Sequence, residues 1–429
     1  MAIISISDSQ VNGADQILVA DSNSKIPAKD GSQITILNAT NVTTGTIASA
    51  RLDVGTTANK LVQLDGSGNL PAVDASQLTG IVSATISASD PTISTNPSGG
   101  VGTEWLNSTS GEMYICTDAT AGANVWTNVG AGSGDVAPFG AAIAGYIAGG
   151  DSGAATNVVD KFLFTSDGNA TDHSDLHLAA YQVAGCSSTT HGYVCGGEYS
   201  GHEYINNIQK FIFATQTNGT DVGDLTVQKD KHGACSDTTT HGYSLAGGSD
   251  TPSNYTASDV IDRWSFSSDG NAVDVGNLTV GRKWVAGANS TTYGYCMGGQ
   301  PTVDVVDKFL FGSSATATDV GNLTVGRGYN AGQQSGSYCY SSGGNNGSYV
   351  NTIDRFATAS DGNASDVGDL TQSRGSLAGV SSRAYGYACG GAPGAYQTII
   401  DKWSFSTNAN ASDVGDLSVG RSSPAGNQY

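Results

Sequence analysis

Six pairs of glycines return along this chain at a nearly even spacing. They are Gly149/Gly150, Gly196/Gly197, Gly247/Gly248, Gly298/Gly299, Gly343/Gly344 and Gly390/Gly391, 45 to 51 residues apart. Behind each pair comes a charged and aromatic stretch: Asp160-Lys161-Phe162, Gln209-Lys210-Phe211, Asp262-Arg263-Trp264, Asp307-Lys308-Phe309, Asp354-Arg355-Phe356 and Asp401-Lys402-Trp403. A third block follows, clearest as Asp221-Val222-Gly223-Asp224-Leu225, Asp274-Val275-Gly276-Asn277-Leu278 and Asp413-Val414-Gly415-Asp416-Leu417. Self-similarity at this period defines a repeat architecture.

Each repeat reads as four short strands. Ala184-Gly185, Ala286-Gly287 and Ala378-Gly379 mark the first. The second ends in the glycine pair and carries a tyrosine three or four residues earlier. The third, Asp-Lys-Phe-x-Phe, is apolar at alternate positions, and the fourth carries the Asp-Val-Gly-Asp-Leu block. Between the third and fourth sit Asp167-Gly168, Asn218-Gly219, Asp269-Gly270 and Asp361-Gly362. Such dipeptides suit tight hairpin turns whose two central residues take positive φ.

A four-stranded unit this small cannot bury both faces alone. Radial packing of several units around a channel buries them against one another, which is a β-propeller, and small Ala-Gly strands suit its crowded axis. An open solenoid of hairpins is the alternative. The ends favour the ring: the first repeat begins at its second strand near Ile143, and Arg421-Ser422-Ser423-Pro424-Ala425-Gly426 reads as a first strand with nothing after it. The expectation is an all-β chain with a six-bladed propeller over residues 135–429, closed by the C-terminal strand.

These motifs resemble the Kelch repeat over residues 140–429. The tryptophan of a Kelch repeat is absent; Leu176, Leu225, Leu278, Leu323, Leu370 and Leu417 stand near its place. The resemblance therefore implies a Kelch-like propeller and carries over no Kelch partner.

The 429 residues carry a net charge of −20 with a pI near 4.3. With no basic patch to neutralise phosphates, nucleic acid is excluded as a partner. No run approaches a membrane span, and Met1-Ala2-Ile3-Ile4-Ser5-Ile6 lacks the basic start of a signal peptide, so no membrane insertion is expected. The seven cysteines form no Cys-x-x-Cys pair, and all but Cys116 fall in or beside first and second strands. They read as buried free thiols of a protein made in a reducing cytoplasm.

Residues 1–134 lie outside the repeat. Asn41-Val42-Thr43-Thr44-Gly45-Thr46-Ile47-Ala48-Ser49-Ala50-Arg51-Leu52 and Leu61-Val62-Gln63-Leu64-Asp65-Gly66, continued by Leu70 to Gly80, carry isolated apolar residues among Thr, Ser, Ala and Gly. One copy has too little apolar surface for a core, so it is either disordered or shared among several chains. These stretches, over about residues 36–82, are similar to shaft segments of bacteriophage tail fibres, in which three chains intertwine. The resemblance implies a homotrimeric virion appendage, assembled in the host cytoplasm. Residues 1–35 would dock on other virion proteins and 36–100 would form shaft and linker. Residues 101–130 read as a small β module: Gly102–Leu106 and Glu112–Cys116 form a hairpin, Asn124–Val129 a third strand, and Trp105 and Trp126 the core. This module, too, looks like a piece common in phage fibres, and Ala131-Gly132-Ser133-Gly134 reads as a flexible joint.

No catalytic constellation stands out, and no cofactor or metal is expected. The six histidines lie within residues 173–241, but His191 and His241 share one repeat position, and His173 and His177 would need a helix to share a face. The Asp-Gly-Asn turns lack the spacing of a calcium loop. Lys229, Arg282, Arg327, Arg374 and Arg421 recur before the first strands and suggest pairs with repeat carboxylates. The connections between second and third strands vary most and carry Tyr199, His202, Tyr204, Tyr255, Tyr349 and Tyr396. Variable aromatic loops on a rigid scaffold suit recognition of a host surface glycan or protein. A structural spacer is the alternative reading, and a glycan-degrading enzyme ranks below both, because most carboxylates recur as repeat positions.

Overall fold

The computed structural model of the protein describes residues 84–129 and 141–429, apart from 142, 202, 238, 252–253 and 313–315. The docking segment 1–35, the shaft stretches to residue 82 and the 131–134 joint lie outside the described residues. Among those described, the chain is all-β, with no helix.

The small module has one strand more than its sequence suggests. β1 (Thr85–Ser87) runs parallel to β2 (Glu104–Asn107), which pairs with β3 (Met113–Asp118), and β4 (Val125–Asn128) completes the sheet. The stretch read as linker therefore folds back on the hairpin. Trp105 Nε1–H donates to Ser89 O at 2.9 Å, and the Asn124 amide donates to Ile93 O at 2.8 Å. The expected core forms: Trp126 is fully buried, and Trp105 meets its ring edge-on at 5.8 Å.

The repeat builds six antiparallel four-stranded sheets among the described residues. Numbered by their second strands, these are sheet 1 (Ala144–Ala148), 2 (His191–Cys195), 3 (His241–Leu245), 4 (Tyr293–Met297), 5 (Tyr338–Ser342) and 6 (Tyr385–Cys389). Sheet 1 takes its first strand from the other end of the array: Ala425–Gln428 pairs with Ala144–Ala148. The first strands of the other sheets are Ala184–Ser187, Gly233–Ser236, Ala286–Asn289, Ala331–Gln334 and Ala378–Ser381. Each of these six strands packs beside the next in order, and Ala378–Ser381 and Ala184–Ser187 both flank Ala425–Gln428. The approach is close enough to dictate the residues. A Cβ on Gly332 would sit 2.0 Å from Gly287 O, and one on Gly379 2.1 Å from Gly332 O.

Aromatic side chains join the same neighbours. The second-strand tyrosines Tyr146, Tyr193, Tyr243, Tyr295, Tyr340 and Tyr387 are fully buried. Each meets an aromatic ring of the next sheet's third strand: Tyr146 meets Phe211, Tyr193 Trp264, Tyr243 Phe309, Tyr295 Phe356 and Tyr340 Trp403, while Tyr387 meets Phe162 of sheet 1 at 5.2 Å. Such pairs contribute about 0.5–1.5 kcal/mol each beyond the area they bury.

The glycine pairs end the second strands in left-handed conformations, with φ of 64° and 108° at Gly149 and Gly150. The second glycine donates its N–H to the carbonyl just before the next first strand, as Gly344 does to Arg374 O at 2.9 Å. In sheet 3 this corrects the sequence reading. Gly247, not Gly248, donates to Arg282 O, so the pair is Ala246-Gly247, and Ala246 holds φ 61°. A left-handed alanine costs roughly 1–2 kcal/mol, which the surrounding sheet must offset.

The Asp-Gly turns are also corrected. Of their residues only Gly168, Gly270 and Gly362 have positive φ, so these are not two-residue hairpins. They sit in longer connections whose side chains bind the preceding sheet. Asp167 pairs with Lys402 Nζ at 2.7 Å, and Asn169 Oδ1 accepts the Asp416 N–H at 3.1 Å.

The recurring cations are buried with the third-strand aspartates: Lys229–Asp262, Arg282–Asp307, Arg327–Asp354, Arg374–Asp401 and Arg421–Asp160, every side chain 0% exposed. The one remaining sheet, sheet 2, lacks the pair entirely. Where the others have a cation sheet 2 has Ala180, and where they have aspartate it has Gln209, whose amide bonds the Leu178 backbone instead. Neither partner is lost alone, as the cost of an unpaired buried charge requires. Gln209→Asp should therefore destabilise the protein by about 3 kcal/mol, and adding Ala180→Arg should recover most of it. Urea denaturation of wild type, single and double variants checks this.

Candidate functional site

Because the strands alternate in direction, the connections from second to third and from fourth to first strand emerge at one end of every sheet. Here, besides Ala246, one residue ahead of each first strand holds a left-handed backbone despite having a side chain: Gln182, Lys231, Trp284, Tyr329, Ser376 and Ser423, with φ of 53–62°. Their peptides form a cycle. Lys231 N donates to Gln182 O, Trp284 N to Lys231 O, Tyr329 N to Trp284 O, Ser376 N to Tyr329 O, Ser423 N to Ser376 O and Gln182 N to Ser423 O, at 2.5–3.2 Å.

The side chains of this cycle make an aromatic and cationic cluster on one side. Trp284 and Tyr329 stack at 3.9 Å between centroids with 23° between planes. Lys231 Nζ lies 5.3 Å from the Trp284 ring and 5.9 Å from that of Tyr204, and it pairs with the buried Asp230. Burial, then the neighbouring Lys231 charge, hold the Lys283 ammonium below its ordinary range. The opposite side of the cycle is small and polar, with Ser376, Ser423 and Gln182. A half-buried stack beside charged groups presents a flat apolar surface and hydrogen-bonding groups together, which suits the ring faces and hydroxyls of a sugar.

The residues expected from sequence surround this end without converging on one point. Glu198–Tyr199 and Glu203–Tyr204 form a ribbon in which Tyr199 opposes Glu203 and Glu198 opposes Tyr204, so the two tyrosines face opposite ways. Tyr204 turns toward Lys231, whereas Tyr199 is exposed. His202 lies outside the described residues. Tyr255 is in the strand Asn254–Ala257, paired with Asp250. Tyr349 packs near Tyr329 across Gly375. Tyr396 reaches the next sheet, its hydroxyl donating to Asp151 Oδ2 at 2.8 Å. Sequence reading missed Trp284, Tyr329 and Lys231. The signal was available: two residues after each recurring cation, an otherwise regular repeat varies freely as Lys231, Trp284, Tyr329, Ser376 and Ser423.

One cysteine–histidine pair lies beneath this end. Cys195 Sγ is 3.5 Å from His232 Nε2. Burial pushes the Cys195 thiol up to about 12, and burial, then the Lys229 charge, hold His232 down to about 3. Both are neutral near pH 7, so no thiolate is available for attack. All seven cysteines are free and buried. His191 and His241 open second strands and bond the neighbouring threonine hydroxyls. His173 is buried against Ile212 O at 3.1 Å, with His177 exposed beyond the end of its strand.

No family model matches the chain, and none of the curated proteins matches it.

His232 also sets a pH dependence. Its folded pKa lies below the ordinary 6.5, so the unfolded chain binds the extra proton and stability falls as pH drops from 6.5 toward 3. Between about pH 8 and about pH 5 this group alone should remove about 2 kcal/mol. Urea denaturation at both values should show the loss in wild type and a smaller one in His232→Gln.

Proposed function

We propose that this protein is a bacteriophage virion appendage whose six sheets form a closed, Kelch-like propeller that binds a host surface glycan through the end carrying Trp284 and Tyr329. The observation that carries the glycan reading is the contrast within the cycle: one repeated backbone geometry presents five different side-chain types at six positions, and its aromatic members stack together. A scaffold that fixes the main chain while varying the side chains is suited to recognition. Supporting closure are the strand pairing of Ala425–Gln428 with Ala144–Ala148, the cycle of peptide bonds and the aromatic contacts from Tyr387 to Phe162. The phage and trimer readings rest on the shaft-like stretches within residues 36–82, and attachment to other virion proteins would fall to residues 1–35.

Binding of the whole protein to an array of bacterial surface glycans tests the recognition reading. A glycan that binds wild type and loses about tenfold or more with Trp284→Ala and Tyr329→Ala is the expected result. Glycan binding that both variants retain would move the site elsewhere, and no glycan binding would favour a spacer. New reducing ends from a bound polysaccharide would make the protein a hydrolase instead. Light scattering tests assembly: a trimer is expected, and a monomer removes the fibre model.

A further inference from the structure

The repeats serve as an alignment of the protein with itself, and one intersheet junction departs from it at several neighbouring positions. In sheets 2, 4 and 6 a third-strand lysine grips an aspartate in the connection of the following sheet: Lys210–Asp269 at 2.7 Å, Lys308–Asp361, and Lys402–Asp167 at 2.7 Å. The equivalent lysine of sheet 1 is Lys161, and the residue of sheet 2 at the aspartate's position is Gln216. Among the described residues no carboxylate pairs with Lys161; its ammonium lies 5.6 Å from the Tyr146 ring centroid. The remaining two sheets carry arginine there, and Arg355, whose counterpart in sheet 6 is Asn408, stacks on Tyr338 at 4.2 Å. Lys161 is the one lysine of the set whose carboxylate is missing.

Two further departures set its surroundings apart, the first by removing a ring and the second by adding polar groups. Lys308 and Lys402 lie over Tyr293 and Tyr385, which begin their second strands; sheet 1 has Ala144 at that position. The fourth-strand valine of the other sheets, Val222 or Val275 for example, is His173 in sheet 1, and the glycine two residues after the strand's aspartate is Ser174. In sheets 2 to 6 that aspartate accepts the N–H of this glycine, as Asp274 does from Gly276 at 3.0 Å. A cavity of about 450 Å³ lies at this junction, lined by Lys161, Asn169, Thr171, Asp172, His173 and Gln216 among others. It is at the end opposite to Trp284 and Tyr329, with the connections from third to fourth strand.

We propose that this cavity binds a small carboxylate-bearing sugar, whose carboxylate takes the place on Lys161 that an internal aspartate occupies in sheets 2, 4 and 6. A charge-assisted bond from the ammonium would fix the acid group. The rest of the lining supplies an amide from Gln216, the free NH₂ of Asn169, the Thr171 hydroxyl and the Asp172 carboxylate, which are partners for hydroxyl groups rather than for a second charge. The volume suits a single sugar residue.

Titration of the full-length protein with D-glucuronate and with D-glucose, followed by calorimetry or ligand-observed NMR, tests this. Glucuronate should bind about tenfold or more tightly than glucose, the discrimination expected from a hydrogen bond to a charged group. Lys161→Met should abolish the preference. Gln216→Asp is the sharper variant. It installs the pair already present in three sheets, so the fold is kept, and glucuronate affinity should fall at least about tenfold because the new carboxylate occupies Lys161. Equal binding of the two sugars, or unchanged glucuronate affinity in Gln216→Asp, overturns the proposal. Loss of glycan binding at the Trp284 end would leave this result untouched, since no residue is shared.

Discussion

The cycle of peptide hydrogen bonds through Gln182, Lys231, Trp284, Tyr329, Ser376 and Ser423 is the constraint on which the rest of the array depends. It fixes how close the sheets stand, and that distance decides the residues beneath it. The first strands approach until a carbonyl of one lies about where the Cβ of the next would be, so Gly287, Gly332, Gly379 and Gly426 follow. The same spacing places each buried tyrosine against the aromatic ring of the neighbouring third strand. It also lets the second glycine of each pair reach the chain ahead of the next first strand. Left-handed non-glycine residues are costly, and they persist where surrounding structure over-determines them.

The buried ion pairs show how the sequence tolerates variation under that constraint. A cation and an aspartate, both sealed from water, contribute little net stability over an apolar pair, but losing one of them is expensive. Sheet 2 has exchanged both for Ala180 and Gln209. The outer Lys–Asp contacts are exposed and worth less, so Gln216 could replace an aspartate opposite Lys161 at small cost. Departures of the first kind keep the fold; departures of the second kind leave chemistry available.

Much of this was legible in the chain because period and alternation are local properties. The glycine pairs, the Asp-Lys-Phe strands and the complementary ends give the strand order of all six sheets, and the recurrence of Arg282, Arg327 and Arg374 announces their carboxylate partners. What was not legible depends on contacts between sheets. Asp167-Gly168-Asn169 looks like a tight turn, yet its side chains hold the neighbouring sheet. Ala246 takes a conformation its type disfavours, so the pair in sheet 3 looked shifted by one residue. Trp284 and Tyr329 are far apart in sequence and meet only because the cycle sets them side by side. Thr85–Ser87 has too few apolar residues to announce a strand and gains its place by pairing with β2.

Sheet 1 is assembled from strands some 277 residues apart, between Ala148 and Ala425. Every other sheet can form from one continuous stretch of about 40 residues, by local pairing. Among the described residues the repeat therefore carries five sheets paired wholly within a local stretch and one that needs a single very distant strand. Closing so long a loop is slow, but its entropic cost grows only with the logarithm of its length. Folding should accordingly wait on this one sheet. Once it has formed, opening it disturbs the aromatic contacts on both flanks, which places its resistance to unfolding in the rate of escape as much as in the equilibrium.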